Sequence, residues 1–173
     1  MPFCAVCRIA GKDYADDGLM SQKLDEFDCK ILRELQRDAS RPVTQLAEAV
    51  GLSHAPCWRR IQRLRTEGYI AREVAILDRA KLGWDLEMFV QVKLNANGRA
   101  DISEFASSML EHEQVIGCYI VLGNIDVILH VIARNIRDYE RFFMEHLSQA
   151  TGVHEANTIT LMSRLKDGTQ IPI

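Results

Sequence analysis

The apolar residues in the first half of the chain recur with the period of an α-helix, in three short blocks. The first block contains Ile31 and Leu35, and Asp25 and Asp28 precede it. Acidic residues three positions apart at a helix start resemble a capping box, in which each side chain accepts a hydrogen bond from the other residue's backbone N–H. The spacing therefore predicts a first helix over residues 25–38.

The second and third blocks lie on either side of a glycine. Thr44 is the expected N-cap of a short second helix that ends at Gly51. Ser53 is the expected N-cap of a third helix, and Pro56 falls in its first turn, where a missing backbone N–H costs little. The apolar positions of the third helix follow i, i+4, i+7 spacing: Cys57, Ile61 and Leu64. Three short helices with this turn predict a helix-turn-helix domain over residues 24–72.

The other sides of the third helix carry side chains that suit DNA. Four arginines and no acidic residue lie between His54 and Arg65. Such a helix fits the major groove of double-stranded DNA, where its N-terminal half reaches base edges and other residues contact phosphates. The expected DNA-binding residues are Ser53, His54, Ala55, Trp58, Arg59, Gln62, Arg63 and Arg65, with Ser53, Arg63 and Arg65 assigned to phosphate. Arg60 can instead pair with an acid of the first helix, and Trp58 can simply pack on the surface.

After residue 72 the pattern changes to extended segments. Residues 73–84 read as a linker with strand character, which could pair with a second subunit. In the domain that follows, over residues 85–165, the predicted strands are Met88–Leu94, Val115–Leu122, Ile125–Ala133 and Thr158–Leu165, and the helical stripes begin at Ile102 and Ile136. Residues 95–98 are expected to be a loop and Gly123-Asn124 a two-residue hairpin turn.

This order of elements defines the expected fold class, which is α+β. It comprises an N-terminal three-helix domain, winged or plain helix-turn-helix, and a C-terminal ferredoxin-like β-α-β-β-α-β sandwich. Residues 1–23 lack periodicity and are expected to be a disordered or adventitious leader, with Met20 as a possible translation start. Residues 166–173 are expected to form a C-terminal tail.

Composition and charge narrow the function. The chain has 173 residues, of which 47% are hydrophobic, so it can bury proper cores. No apolar run approaches the roughly 20 residues that span a bilayer, which predicts a cytoplasmic protein without a membrane partner. The net charge is −3, yet residues 24–79 hold 10 Lys/Arg against 9 Asp/Glu, and residues 81–165 hold 7 against 11. Basic charge is thus concentrated near the third helix, which favours a local contact with DNA.

Candidate catalytic and metal sites are weak. Cys4-x-x-Cys7 lacks the two further ligands of a zinc site, and reduced thiols are the simpler interpretation. Asp126 and His130 share a predicted strand, but no activated nucleophile or paired carboxylate accompanies them, so we expect no enzyme, cofactor or metal. RNA binding through the sheet would need several exposed aromatic side chains, and Tyr119 alone does not supply them.

The two domains together resemble the Lrp/AsnC family of transcription regulators, over roughly residues 24–165. The motifs that carry the resemblance are Leu24-Asp25-x-x-Asp28-x-x-Ile31-Leu32-x-x-Leu35-Gln36, Leu46-Ala47-x-x-Val50-Gly51-Leu52-Ser53, Pro56-Cys57-x-x-Arg60-x-x-Arg63-Leu64-x-x-x-Gly68-x-Ile70 and Leu122-Gly123-Asn124-x-Asp126. Pro56-Cys57-Trp58 and Ile171-Pro172-Ile173 are most similar to a DecR-like subgroup. The resemblance implies a sequence-specific transcription regulator whose sandwich is the family's RAM domain. It also implies a homodimer that assembles further, with an octamer expected.

A small effector, an amino acid, is also implied by the resemblance, at an interface of the sandwich domain. Asp126 would accept the ammonium group, and the backbone N–H groups of Gly123 and Asn124 would hold the carboxylate. By the same resemblance, the pocket is completed by Ile136, Thr158 and Thr160. Family sequences often have aspartate where this chain has Asn124, which changes the charge beside the ligand. Two alternatives stay open: Asp126 as a solvated or subunit-bridging residue, and a DNA-binding regulator or architectural protein with no small-molecule effector.

Overall fold

A computed structural model describes residues 24–166, 168 and 170–173, which form two compact units. One unit comprises residues 24–76 together with Leu165–Ile173, and the other comprises Leu77–Arg164. The predictions for residues 1–23, including the leader and the start at Met20, lie outside the described residues.

The first unit contains three helices, α1 (Glu26–Arg37), α2 (Val43–Val50) and α3 (His54–Thr66). Their apolar faces share one core, whose buried members are Ile31, Leu32, Leu46, Ala47, Val50, Cys57, Ile61 and Leu64. Gly51 ends α2 in the left-handed conformation, at φ 75°, which glycine adopts without strain. The predicted helix-turn-helix is therefore confirmed.

The start of α1 has the predicted capping box. The backbone N–H of Asp28 donates to Asp25 Oδ1 at 2.9 Å, and the backbone N–H of Asp25 donates to Asp28 Oδ2 at 3.1 Å. Two orphan donors of the first turn are thus satisfied reciprocally. This pair fixes where the first helix begins.

Two details of the helix starts in this unit differ from the predictions. Pro42 and not Thr44 occupies the N-cap of α2, because proline holds the extended conformation from which the helix starts at Val43. Ser53 does occupy the N-cap of α3, but its hydroxyl makes no capping hydrogen bond with the described residues. Between α3 and the first strand lies only a 3₁₀ turn, Ala80–Leu82, so the domain has no wing in this described segment. The linker, residues 73–84, forms no strand within one chain, and its pairing with a second subunit stays a prediction.

The second unit is a four-stranded antiparallel sheet in the order β2-β3-β1-β4. Its strands are β1 (Leu86–Leu94), β2 (Val115–Ile120), β3 (Val127–Ala133) and β4 (Val153–Thr160). Its helices are α4 (Ala96–Ala100), α5 (Ile102–Leu110) and α6 (Ile136–Phe142), and α6 continues as a π-helical turn over Phe143–Leu147. With α4 as an additional turn, this is the predicted β-α-β-β-α-β order, and the α+β class is confirmed.

The helix-facing side of the sheet forms the core of this unit. Its side chains on β1 and β3 are buried: Met88, Val90, Val92, Leu94, Val127, Leu129, Val131 and Ala133. They pack against Phe105, Met109, Phe142 and Leu147 from the helices. The opposite side of the sheet is partly open, with Tyr119 53% and Ile159 46% exposed.

Several boundaries in this unit differ from the predictions. The expected loop after β1 is helix α4, because the backbone N–H of Gly98 donates to Asn95 Oδ1 at 2.9 Å and so caps a turn. The last strand runs over Val153–Thr160, not Thr158–Leu165, since β1 is its partner and β1 sets its extent. The connection between β2 and β3 covers residues 121–126 and is longer than a two-residue hairpin turn.

Two glycines let the chain cross itself closely next to α4. The backbone N–H of Asn95 donates to the carbonyl oxygen of Gly152 at 2.8 Å. A Cβ added to Gly152, where φ is 88°, would lie 2.5 Å from Cα of Gly98. Only glycine fits on both sides of this crossing. In the described part of the chain, no helix has the length and apolar character that crossing a membrane requires.

Candidate functional site

Helix α3 presents the predicted DNA-binding residues mostly at its N-terminal end. Ser53, His54 and Ala55 are exposed there, and Trp58 and Arg59 follow on the next turn. The indole of Trp58 is 48% exposed, so it is not part of the core. Gln62 is half-buried farther along the helix. The side chains assigned to base edges therefore form one accessible surface at the start of α3.

Arg60 and Arg63 are bound within the domain, to a carboxylate of α1. Arg60 Nη1 donates to Asp28 Oδ1 at 2.8 Å and to Asp25 Oδ2 at 2.6 Å, and Arg63 Nη2 donates to Asp28 Oδ2. Asp28 is fully buried, and its carboxylate is the largest influence that raises the pKa of Arg60. The guanidinium of Arg60 also lies 5.7 Å from the ring centre of Phe27. The predicted pairing of Arg60 with an acid of the first helix is what the structure has.

Arg65 is also paired, and Arg59 differs from the other arginines of α3. Arg65 Nη2 lies 2.7 Å from Glu73 Oε1, an acid of the linker. Among the described residues, Arg59 makes no ion pair. The sequence interpretation of a strongly cationic helix surface therefore needs correction. The acids that neutralise it come from α1 and the linker, which spacing within α3 cannot reveal.

The residues assigned to the effector fall into separate places in one chain. Gly123, Asn124 and Asp126 lie in the connection before β3, and Ile136 follows the other end of β3 with 66% of its surface exposed. Seven residues of β3 separate the two places, which is about 20 Å at 3.3 Å per residue. One chain does not bring these two groups together.

Thr158 and Thr160 lie on β4, toward the Ile136 end of the sheet. Thr160 is opposite Met88 and Thr158 is opposite Val90, both on the helix-facing side of β1. The hydroxyl of Thr158 shares a hydrogen bond with the hydroxyl of Tyr139, whose pKa is raised by burial. Thr158 is thus already engaged by the fold of its own chain.

Asp126 has a local partner that the sequence does not predict. Its Oδ2 accepts from the backbone N–H of Leu94 at 2.8 Å, and its own backbone N–H donates to the carbonyl oxygen of Val92 at 3.0 Å. The acid is half-buried and ties the entrance of β3 to the end of β1. Its other carboxylate oxygen makes no hydrogen bond with the described residues, so it is available to a further donor.

A second carboxylate, which the sequence analysis missed, organises the open side of the sheet. Glu87 lies 3.0 Å from Arg79 Nη1, accepts from His130 Nε2 at 2.5 Å, and pairs with Arg164. Burial raises the pKa of Glu87, but the three donors outweigh it and hold that pKa below its usual range. His130 is half-buried in β3, and its ring stacks on Phe89 with centres 4.6 Å apart.

The helix layer contains a cavity of about 410 Å³. His112 and His146 line it, with ring centres 4.2 Å apart, and so do the acids Asp101, Glu104 and Glu145. Burial and the neighbouring His146 lower the pKa of His112. No group of three or more metal-ligating side chains occurs among the residues that the structure describes.

Comparisons with known proteins match both units. Residues 24–65 match the profile of the AsnC-type helix-turn-helix domain, and residues 87–171 match that of the Lrp/AsnC ligand binding domain. The chain is 37% identical to a proline dehydrogenase transcriptional activator of Rhizobium radiobacter, over 83% of this chain and 92% of the relative. It is 31% identical to the DNA-binding transcriptional activator DecR of Escherichia coli, over 87% of this chain and 99% of the relative.

A solved structure supports the same relationship. The transcriptional regulator NMB0573 of Neisseria meningitidis, in complex with L-Met, matches with a TM-score of 0.81 and 28% identity, over 86% of this chain and 96% of that one. The relatives are transcription regulators and not enzymes, which confirms the predicted function class. The helix-turn-helix is a DNA-binding domain, and the sandwich is a ligand-binding domain. The chain belongs to the Lrp/AsnC family of transcription regulators.

Proposed function

We propose that this regulator reads DNA with the N-terminal end of α3 and responds to an amino acid that two copies of the sandwich hold between them. The observation that carries the first part is the exposed group His54, Ala55, Trp58 and Arg59 at the start of α3. Arg59 has no acid bound to it within the described residues, so its guanidinium can reach a guanine edge. Such a regulator works where the DNA is, in the cytoplasm.

The roles of the remaining α3 residues follow from their contacts. Ser53 is exposed with its hydroxyl unused by a cap, which suits a phosphate contact. Arg65 can exchange Glu73 for a phosphate because their ion pair is on the surface. Arg63 would have to share Asp28 with phosphate, so we assign it a smaller contribution than Arg65. Gln62 lies one turn beyond Trp58 and is assigned to the edge of the base-reading surface.

Arg59→Ala tests the DNA-reading surface. We expect it to weaken binding to the preferred site by about 1–3 kcal/mol and to affect random DNA much less. Fluorescence anisotropy with both DNAs over a series of salt concentrations measures this. The matched control is Arg65→Ala, which should weaken both DNAs alike and reduce the salt slope by about 1. An equal loss on both DNAs for Arg59→Ala would remove it from the base-reading surface.

The effector part of the proposal follows from the separation of the two residue groups. Gly123, Asn124 and Asp126 of one copy could meet Ile136 and Thr160 of another copy, although one chain holds them about 20 Å apart. The free oxygen of Asp126 would accept the ammonium group, and Asn124 would leave the ligand carboxylate without a neighbouring negative charge. The L-Met complex of the Neisseria meningitidis regulator supports an amino acid as the ligand class.

A thermal-shift screen with the twenty amino acids, followed by sizing with each hit, tests the effector. Asp126→Asn is the most specific variant, because its amide oxygen can still accept the hydrogen bond from the backbone N–H of Leu94, while the negative charge that would bind ammonium is lost. We expect it to abolish the shift and to keep apo DNA binding. No shift with any amino acid in the native protein would instead favour a regulator or architectural protein without a small-molecule effector.

We also propose a homodimer that assembles further, to an octamer. The open side of the sheet supports this, because Tyr119, Ile128 and Ile159 form an apolar surface there that a second copy could cover. Sedimentation over a range of protein concentrations should show species larger than a dimer. A monomer at all concentrations would refute both the assembly and the shared effector site.

A further inference from the structure

The end of the chain is bound along helix α1. The amide of Gln36 contacts Ile171 twice: Oε1 accepts from the backbone N–H of Ile171 at 2.7 Å, and Nε2 donates to its carbonyl oxygen at 3.2 Å. Arg33 Nε donates to the carbonyl oxygen of Ile173 at 2.7 Å. Gln170 Nε2 donates to the backbone oxygen of Gln36 at 3.5 Å. Three of these four contacts use backbone atoms of Ile171 and Ile173, and only the fourth depends on a side chain of the segment, that of Gln170.

These contacts resemble the pairing of a peptide with the edge of a sheet. A side-chain amide presents N–H donors and an acceptor oxygen in one plane, so Gln36 satisfies both backbone groups of Ile171 as a neighbouring strand would. In peptide recognition of this kind, main-chain hydrogen bonds supply affinity, and apolar contacts supply the selectivity.

An apolar groove lies beside these contacts, within the same unit. Its volume is about 710 Å³, and Leu32, Leu35, Tyr69 and Ile76 are among the side chains that line it. Ile171 and Ile173 line it as well, from the bound segment. Ile173 is 37% exposed and Ile171 is 67% exposed, so Ile173 is the more deeply placed of the two.

The chain passes between the two units twice, after Ile76 and after Arg164. The first passage is the linker, whose residues before Leu77 contribute the Arg65–Glu73 contact and one side of this groove. The second passage leads from the last strand to the bound residues 170–173. Because so few residues intervene, the effective concentration of the segment at α1 is on the order of millimolar, and weak contacts suffice to hold it.

We propose that the groove beside α1 is a docking site for residues 170–173 of the same chain. Docking closes a second connection between the ligand-binding unit and the helix that carries the Asp25–Asp28 capping box. That helix also supplies the carboxylate of Asp28 that binds Arg60 and Arg63 of α3. The docked segment therefore contacts the same helix whose Asp28 carboxylate binds α3.

Photo-crosslinking in the full chain tests the docking. Ile171 is replaced by p-benzoylphenylalanine, and the products are mapped by mass spectrometry in an equimolar mixture of unlabelled and ¹⁵N-labelled protein. We expect crosslinks to Glu26–Arg37 that join two peptides carrying the same isotope. In the double variant with Arg33→Ala and Gln36→Ala, the crosslink yield should fall at least about fivefold. The matched control is Lys30→Ala, which removes an exposed cation of the same helix that pairs with Glu26 and should leave the yield unchanged.

Hydrogen exchange of the native sequence gives an independent measurement. The backbone N–H of Ile171 donates to Gln36, so it should exchange slowly and lose its protection in Gln36→Ala.

Neither experiment requires DNA or an effector, so failure here is distinct from failure of the proposed function. Crosslinks outside this groove, or a yield that the double variant does not change, would overturn the docking. Crosslinks between peptides of unlike isotope would show that the segment of a second copy occupies the groove and would overturn the same-chain assignment.

Discussion

Asp28 should be the charged side chain on which the helix-turn-helix unit depends most. Its carboxylate accepts from Arg60 at 2.8 Å, from Arg63, and from the backbone N–H of Asp25 at 3.1 Å. The Asp28 side chain is 1% exposed, whereas those of Arg60 and Arg63 are 29% and 30% exposed. Asp28→Ala removes the shared acceptor from α1 and leaves both guanidinium groups facing the space it occupied.

The magnitude follows from these exposures. Breaking a buried ion pair by removing one partner costs about 3–5 kcal/mol, because the remaining charge is left without compensation. Arg60 retains Asp25 at 2.6 Å, and both arginines can turn partly to water, which places the expected loss near the lower limit, at about 3 kcal/mol. Asp28→Asn keeps the volume and one acceptor oxygen, so we expect it to lose less, about 2 kcal/mol.

Urea unfolding followed by the fluorescence of Trp58 measures this loss. The chain has two tryptophans, and Trp58 is the one in the first unit, so the series is made in a Trp84→Phe background. Glu26→Ala is the matched control, because its carboxylate forms an exposed i,i+4 pair with Lys30 on the same helix and should change stability little. A loss below about 1 kcal/mol for Asp28→Ala would refute the argument that this carboxylate holds α1 and α3 together.

Three further predictions concern the sandwich unit. Because the pKa of Glu87 is lowered in the folded state, its stabilisation is present above the unfolded pKa and is lost as the pH falls through the folded one. Glu87→Gln should therefore lower the melting temperature at pH 7, with a gap to the native protein that closes toward acid pH; a constant gap would contradict this. His146→Gln should raise the pKa of His112 in an NMR titration, since His146 helps to lower it, and an unchanged pKa would exclude that interaction. Gly152→Ala should destabilise the unit by at least about 2 kcal/mol in chemical unfolding, because the added Cβ would lie 2.5 Å from Cα of Gly98. Gly83→Ala is the control for positive φ alone, because a Cβ at Gly83 would have nothing within 4 Å.

The helices could be predicted because their signals are local. The capping box of α1, the left-handed Gly51 and the apolar spacing of α3 each depend only on residues that are close together in the sequence. The ion pairs of Arg63 and Arg65 were not predictable in the same way, although the pairing of Arg60 with an acid of α1 was anticipated. Asp28 and Glu73 become neighbours of Arg63 and Arg65 only when separate segments pack together, and no spacing within one helix contains that information.

Strand β4 shows how the sequence interpretation of the sheet went wrong. The last strand was predicted to continue to residue 165, yet Met162 is 98% exposed and Leu165 is 97% exposed. The extent of β4 depends on β1, where Val153 pairs with Leu94 and Thr160 with Met88. Hydrophobicity alone therefore misplaced the strand, because exposed apolar residues are common and a partner strand is what decides the ladder.

Asp126 was placed within a predicted apolar strand, but the donor that satisfies its carboxylate lies elsewhere in the chain. An acid in an apolar strand is costly unless a donor reaches it. The chain bends before β3, and the backbone N–H of Leu94 supplies that donor at 2.8 Å. The connection before β3 covers residues 121–126 and is longer than the predicted two-residue hairpin turn.

The separation of the proposed effector residues has a thermodynamic consequence for regulation. Gly123 and Asp126 lie before β3 and Ile136 lies after it, about 20 Å away in the same chain. A ligand that requires both groups must bind two copies at once, so its binding energy adds to their association energy. The apparent affinity for the effector should therefore rise with protein concentration, and the assembly should be tighter when the effector is bound. An effector affinity that stays constant across the dissociation of the oligomer would place the whole site within one chain and would contradict the shared-site proposal.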